Sequence, residues 1–133
     1  MMKREFVDDD FIHIWYEDGI LNVVYKVSRL DIEYAKRVVE EHMKVDLGSE
    51  YPVFIDITSI KSASKDARDY LSSDAAIQNV SASAMLAGSV ISKLMGTFFL
   101  AFNKPATPIK LFTEKDEAIR WLSKYVKDEN TQL

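Results

Sequence analysis

Hydrophobic positions along this chain change their period several times, and each change marks an element. Phe11 to Tyr16 and Ile20 to Val27 are apolar, β-branched runs separated by Asp18 and Gly19. Asp-Gly between two such runs supplies the positive backbone angles of a type I′ turn, so the spacing predicts a β-hairpin at the start of the domain. Ile32, Ala35, Val38, Val39, His42 and Met43 then recur at helical intervals. An approximate capping box of Ser28 and Asp31 precedes them, and Gly48 with Ser49 is the expected stop.

The stretch from Pro52 to Leu71 carries the most information. Val53, Phe54, Ile55 and Ile57 read as a strand buried on both faces, the pattern of a parallel sheet. A Ser-rich loop follows, and Ser64 is the expected N-cap of a helix carrying Ala67, Tyr70 and Leu71 on one face. A further strand is expected within Val80 to Ala87. A helix from Ser89 then places Ile91, Leu94, Met95, Phe98, Phe99 and Phe102 around a wide arc, and Asn103 with Pro105 stops it.

Pro108 introduces a last strand, Ile109 to Phe112. Thr113 with Asp116 gives a second approximate capping box, and Ala118, Trp121, Leu122, Tyr125 and Val126 read as the buried stripe of the terminal helix. The tail from Asp128 is expected to fray. The order is therefore a hairpin, a helix and three strand-helix units. It predicts one α/β domain over residues 1–133, a mixed and mostly parallel sheet with helices packed on it.

Composition removes several functions. The formal charge of -4 and pI near 5.2, with no cluster of Lys and Arg, argue against nucleic-acid binding. The absence of cysteine excludes disulfides, thiolate nucleophiles and Cys-based metal sites. Ala82 to Phe102 is long and apolar, yet Lys93 near its middle would be costly in a bilayer, so two adjacent buried elements explain it better than a membrane span. Lys3 and Arg4 are followed by Glu5 and the acidic run Asp8, Asp9, Asp10 instead of the apolar core of a secretory signal, so a cytoplasmic location is expected.

No P-loop, Gly-x-Ser-x-Gly elbow or dinucleotide fingerprint is present, so no catalytic residue is singled out and no cofactor is implied. A hydrolytic role for Asp56 or His13 is the weakest of the function classes. His13 alternates with Ile12 and Ile14 in a strand, and His42 sits on another element. Neither has an adjacent partner at ligand spacing, so no metal site is expected.

The element order resembles the STAS fold of anti-sigma-factor antagonists and of the cytoplasmic domains of sulfate transporters. It is most similar to small stand-alone bacterial SpoIIAA-like proteins, mostly of unassigned function. The resemblance is carried by FIDIT at 54–58, KDAR at 65–68, the apolar segment through Phe102, and KPATPIKLFTEKDEAIRWL at 104–122. In those antagonists the loop after the central strand carries an Asp-Ser-Ser-Gly motif whose second serine a partner kinase phosphorylates. By spacing from FIDIT, the motif falls on Ser64, Lys65, Asp66 and Ala67, so Asp66 occupies the phosphoacceptor position and the glycine is absent. A shift of register places Ser62 or Ser64 there instead.

The carboxyl edge of parallel strands is where α/β proteins bind ligands and partners. Asp56, Ser59, Ser62, Ser64, Asp66 and Arg68 are therefore the candidate partner-binding residues, and the expectation is a non-catalytic, regulatory, protein-binding domain. Loop capping, turn formation and surface ion pairing explain the same residue types. The alternative is a carrier of a small apolar or lipid-like ligand, since STAS-like folds also resemble the lipid-carrying CRAL-TRIO domains. Met95, Phe98, Phe99 and Phe102 would then contact that ligand, or a second subunit of a homodimer.

Overall fold

The structure is a computed structural model, and it describes residues 3–71, 73, 76, 78–88 and 107–127. Six strands form the main sheet: β1 (Lys3–Asp8), β2 (Ile12–Glu17), β3 (Ile20–Tyr25), β5 (Tyr51–Asp56), β7 (Val80–Leu86) and β8 (Ile109–Phe112), side by side in that order. β1, β2 and β3 are an antiparallel meander, while β3–β5, β5–β7 and β7–β8 pair in parallel. Two short strands, β4 (Arg29–Leu30) and β6 (Ser62–Ala63), make a separate parallel pair. The described helices are α1 (Ile32–Met43), α2 (Lys65–Leu71) and α3 (Lys115–Leu122), the last followed by a 3-10 turn at Ser123–Tyr125.

The Asp-Gly turn forms as expected. Asp18 and Gly19 have φ of 55° and 83°, the positive pair that a type I′ turn demands. Gly19 is fixed twice over, since a Cβ there would stand 2.4 Å from Val126 Cγ1. The chain after α3 thus packs directly on the opening hairpin.

Side chains of alternate residues separate the core into two layers. Val53 and Met85 join Ile12, Ile14, Leu21, Val23 and Tyr25 beneath α1 and α2, through Ala35, Val38, Val39, Ala67 and Leu71. Phe54, Ala84, Leu86 and Phe112 face the other way, against Ala118 and Leu122 of α3. Successive residues of one strand feed opposite layers, so the parallel strands are apolar nearly throughout.

Several expectations are corrected. The domain opens with three strands rather than a hairpin, because β1 is a charged edge strand with no apolar alternation to announce it. Asp31 itself is the N-cap of α1, accepting a hydrogen bond from Tyr34 N at 2.9 Å, whereas Ser28 offers its carbonyl to Lys61 and Ser62. That helix ends at Met43, before Gly48, and Met43 is 60% exposed. The box expected at Thr113 and Asp116 does not close: Glu114 is the N-cap and makes no side-chain capping bond. Trp121, Tyr125 and Val126 are half-buried, and the last two lie beyond the end of α3. The helix expected from Ser89 to Phe102 lies outside the described residues.

Candidate functional site

The loop after β5 continues the sheet before it turns. Ile57 N donates to Leu86 O at 3.0 Å, Ile60 N closes a turn onto Ile57 O at 3.0 Å, and both isoleucine side chains are buried. These two apolar anchors hold the loop down from below. From the side, Lys61 N and Ser62 N donate to Ser28 O at 2.7 and 3.2 Å, and Ser64 N donates to Leu30 O at 3.0 Å. The β4–β6 pair therefore ties the segment before α2 to the segment before α1, leaving little backbone freedom.

Ser64 caps α2. Its Oγ accepts from Ala67 N at 3.3 Å, its carbonyl accepts from Arg68 N at 3.1 Å, and its hydroxyl donates to Asp66 Oδ1 at 2.5 Å. Asp66 Oδ1 also accepts from Ala67 N at 2.9 Å. The Ser64 hydroxyl, the Ala67 N–H and the positive charge of Arg29 together hold the Asp66 carboxyl below the usual range, so this exposed group stays ionised.

The structure brings Ser64 and Asp66 together and places Ser62 beside them in β6, opposite Arg29. It does not bring Asp56 into the group. Asp56 Oδ1 accepts from Thr58 N and Thr58 Oγ1 at 2.9 and 2.7 Å, closing the start of the loop on itself. Ser59 is exposed at the turn, and Arg68, expected to be exposed, is half-buried. Met95, Phe98, Phe99 and Phe102 lie outside the described residues.

A second feature lies between the sheet and α1. A cavity of about 90 Å³ is lined among others by Val23, Val39, Val53, Leu71 and Met85, with Tyr25, His42 and Ser83 as the polar-group-bearing residues of its described lining. His42 Nε2 lies 2.9 Å from Gln78 O, and its ring meets Tyr51 edge-on at 6.1 Å. Burial pushes the His42 pKa down despite that hydrogen bond, so the neutral imidazole is the folded form.

His13 pairs across the sheet, with Glu5 of β1 at 2.7 Å. β1 lays Glu5 and Asp8 beside it, and one oxygen of each carboxylate with a ring nitrogen of His13 forms a group within 4.8 Å. Periodicity missed this because the charged strand that supplies both acids has no buried face to reveal it. His42 has no such neighbours among the described residues.

A family model matches residues 14–126, which is most of the chain. The chain belongs to the DUF7793 family, a domain of unknown function. No curated protein matches it in sequence. Among solved structures it is similar to an uncharacterized protein of the DUF3478 family from Shewanella loihica PV-4, described as having a SpoIIAA-like fold. The TM-score is 0.60 at 17% identity, over 92% of this chain and 96% of that one. The DUF7793 chain thus has a SpoIIAA-like fold, reached from a different sequence. Among its described residues, no helix is long and apolar enough to cross a membrane.

Proposed function

We propose that this DUF7793 protein is a non-catalytic regulatory domain that binds a protein partner through the surface from Ser59 to Arg68. The observation that carries the reading is the tied loop: apolar anchors beneath, the β4–β6 pair at the side and a capped, ionised Asp66 at its end. An ordered surface loses little conformational entropy on binding, which favours recognition by a rigid partner. The hydroxyls that meet carboxylates in the loop, Thr58 on Asp56 and Ser64 on Asp66, close its first turn and cap α2, so binding is the better use of it.

The same geometry argues for a constitutive surface in place of a phosphorylation switch. A phosphate on Ser64 would stand beside the Asp66 carboxylate and would remove the hydroxyl proton that Asp66 accepts. Asp66 provides one fixed negative charge where related antagonists toggle a phosphoserine.

The test is capture of a partner from the protein's own host by immobilised protein, followed by comparison with Asp66→Ser. Asp66 is exposed, so the variant should keep the melting temperature while partner recovery falls severalfold. Equal recovery, or stoichiometric phosphate on Ser62 or Ser64 of native protein, would contradict the reading.

A carrier of a small apolar ligand is the second reading, favoured by the cavity under α1. Its volume of about 90 Å³ decides the ranking. An apolar cavity of roughly 150 Å³ holds benzene, so the space lined by the described residues takes only a few heavy atoms. A native mass spectrum showing a retained apolar molecule would reverse the order.

A further inference from the structure

We propose that Glu5, Asp8 and His13 form a divalent transition-metal site on the outer face of the antiparallel strands. The arrangement begins with a bulge. Glu5 and Asp8 are an odd number of residues apart and would ordinarily point to opposite faces, but the β1–β2 register slips between Glu5 and Val7. Glu5 therefore pairs with Trp15 and Asp8 with His13, residues that share one face of β2. One irregularity in an edge strand puts both carboxylates on the same side as the imidazole.

The oxygens are divided between two tasks. Lys3 approaches Glu5 Oε1 at 3.4 Å and Lys26 donates to Asp8 Oδ1 at 2.8 Å, while Glu5 Oε2 and Asp8 Oδ2 turn toward His13 Nε2 at 2.7 and 3.9 Å. Outer oxygens held by cations, with inner oxygens facing a ring nitrogen, is the second-shell pattern of carboxylate ligands. Trp15 lies against the imidazole with ring centroids 4.1 Å apart, and its own Nε1 donates to Glu17 Oε1 at 3.0 Å. That stacking fixes the plane of the ligand ring.

Beside the His13–Glu5 pair, one oxygen of Asp8 stays open to solvent and to a further ligand. A proton on His13 Nε2 satisfies Glu5 at 2.7 Å but leaves Asp8 Oδ2 at 3.9 Å, beyond hydrogen-bonding distance. Once the His13–Glu5 hydrogen bond opens and Asp8 Oδ2 closes on the ring, a cation about 2.0–2.2 Å from each atom engages all three and leaves its remaining positions to water. The imidazole selects zinc, copper, nickel or iron over magnesium and calcium. The two lysines reduce the negative charge around the site, so binding rests on the directional ligand bonds.

The experiment is titration of untagged protein, first stripped with chelator, with Zn²⁺ by calorimetry and with Cu²⁺ by tryptophan fluorescence. One equivalent of Zn²⁺ should bind saturably, and Cu²⁺ should quench a signal that Trp15→Phe largely removes. His13→Gln should weaken Zn²⁺ binding by about tenfold or more, and Glu5→Gln and Asp8→Asn should each weaken it as well. The latter two alter exposed side chains and keep the fold, so they test the site even if His13→Gln disturbs the sheet. Absence of saturable Zn²⁺ binding, or binding unchanged in Glu5→Gln and Asp8→Asn, would overturn the site.

Discussion

The two halves of the main sheet are built on different terms. β3, β5, β7 and β8 pair in parallel, and β5 and β7 feed core layers under helices on both faces. β1 and β2 are antiparallel and turn one face, with His13, Trp15 and Glu17, away from those helices. The parallel half is therefore largely committed to packing, and among the described residues the loop at its carboxyl edge after β5 exposes Thr58, Ser59 and Lys61. The antiparallel half keeps a polar sheet face on which side chains from two strands meet. Each half carries a candidate site of a different kind: a tied loop, proposed for a partner, and a flat cluster of donors, proposed for an ion.

The sharpest way to break this contrast is to truncate an aromatic residue in each half. Phe54 is 1% exposed and lies against α3, so Phe54→Ala should cost about 3–5 kcal/mol. Trp15 is half-buried on the uncovered face, and Trp15→Ala should cost about 1 kcal/mol, near the centre of the range for single substitutions. Urea denaturation of both variants measures the difference. Equal losses would mean that the antiparallel half is as tightly packed as the parallel one.

That contrast also governs what was legible in sequence. β5 declared itself through Val53 and Phe54, because burial on both faces leaves a continuous apolar run. The Asp18-Gly19 turn and β8 were read correctly for equally local reasons, a positive φ pair and an apolar run after proline. β1 was missed because Lys3, Arg4, Glu5 and Asp8 are exposed, and its pairing with β2 depends on a bulge that no periodicity encodes. Ser64 was found as a cap from its position before an apolar stripe, but the β4–β6 tie joins residues distant in sequence and leaves no local trace.

Helix starts give the next comparison. Asp31 accepts a hydrogen bond from Tyr34 N, whereas Glu114 makes no side-chain capping bond. Asp31→Ala should therefore cost about 1 kcal/mol and Glu114→Ala only a few tenths, measured by the same denaturation curves. Comparable losses would show that the second cap contributes in solution.

The smallest expected effect is a pH dependence confined to the covered half. The His42 pKa is lowered by burial, so the unfolded chain binds the proton more readily than the folded one. The stability from neutral His42 is fully present above the unfolded value of about 6.5 and is lost as pH falls toward the lower folded value. Melting temperatures from pH 7.5 down to 5 should fall more steeply for the wild type than for His42→Gln. Parallel slopes would remove His42 as the cause.

Under the proposed function, the carboxyl edge of the parallel half recognises a partner and the faces of the sheet do not. Site-specific photocrosslinking tests it most directly, with the probe placed at exposed Ser59 in one protein and at Lys124, beyond α3, in another. Ser59 should give one discrete adduct, diminished when Asp66→Ser is added, and Lys124 none. The same adduct from both positions, or one from Ser59 that is indifferent to Asp66, would contradict it.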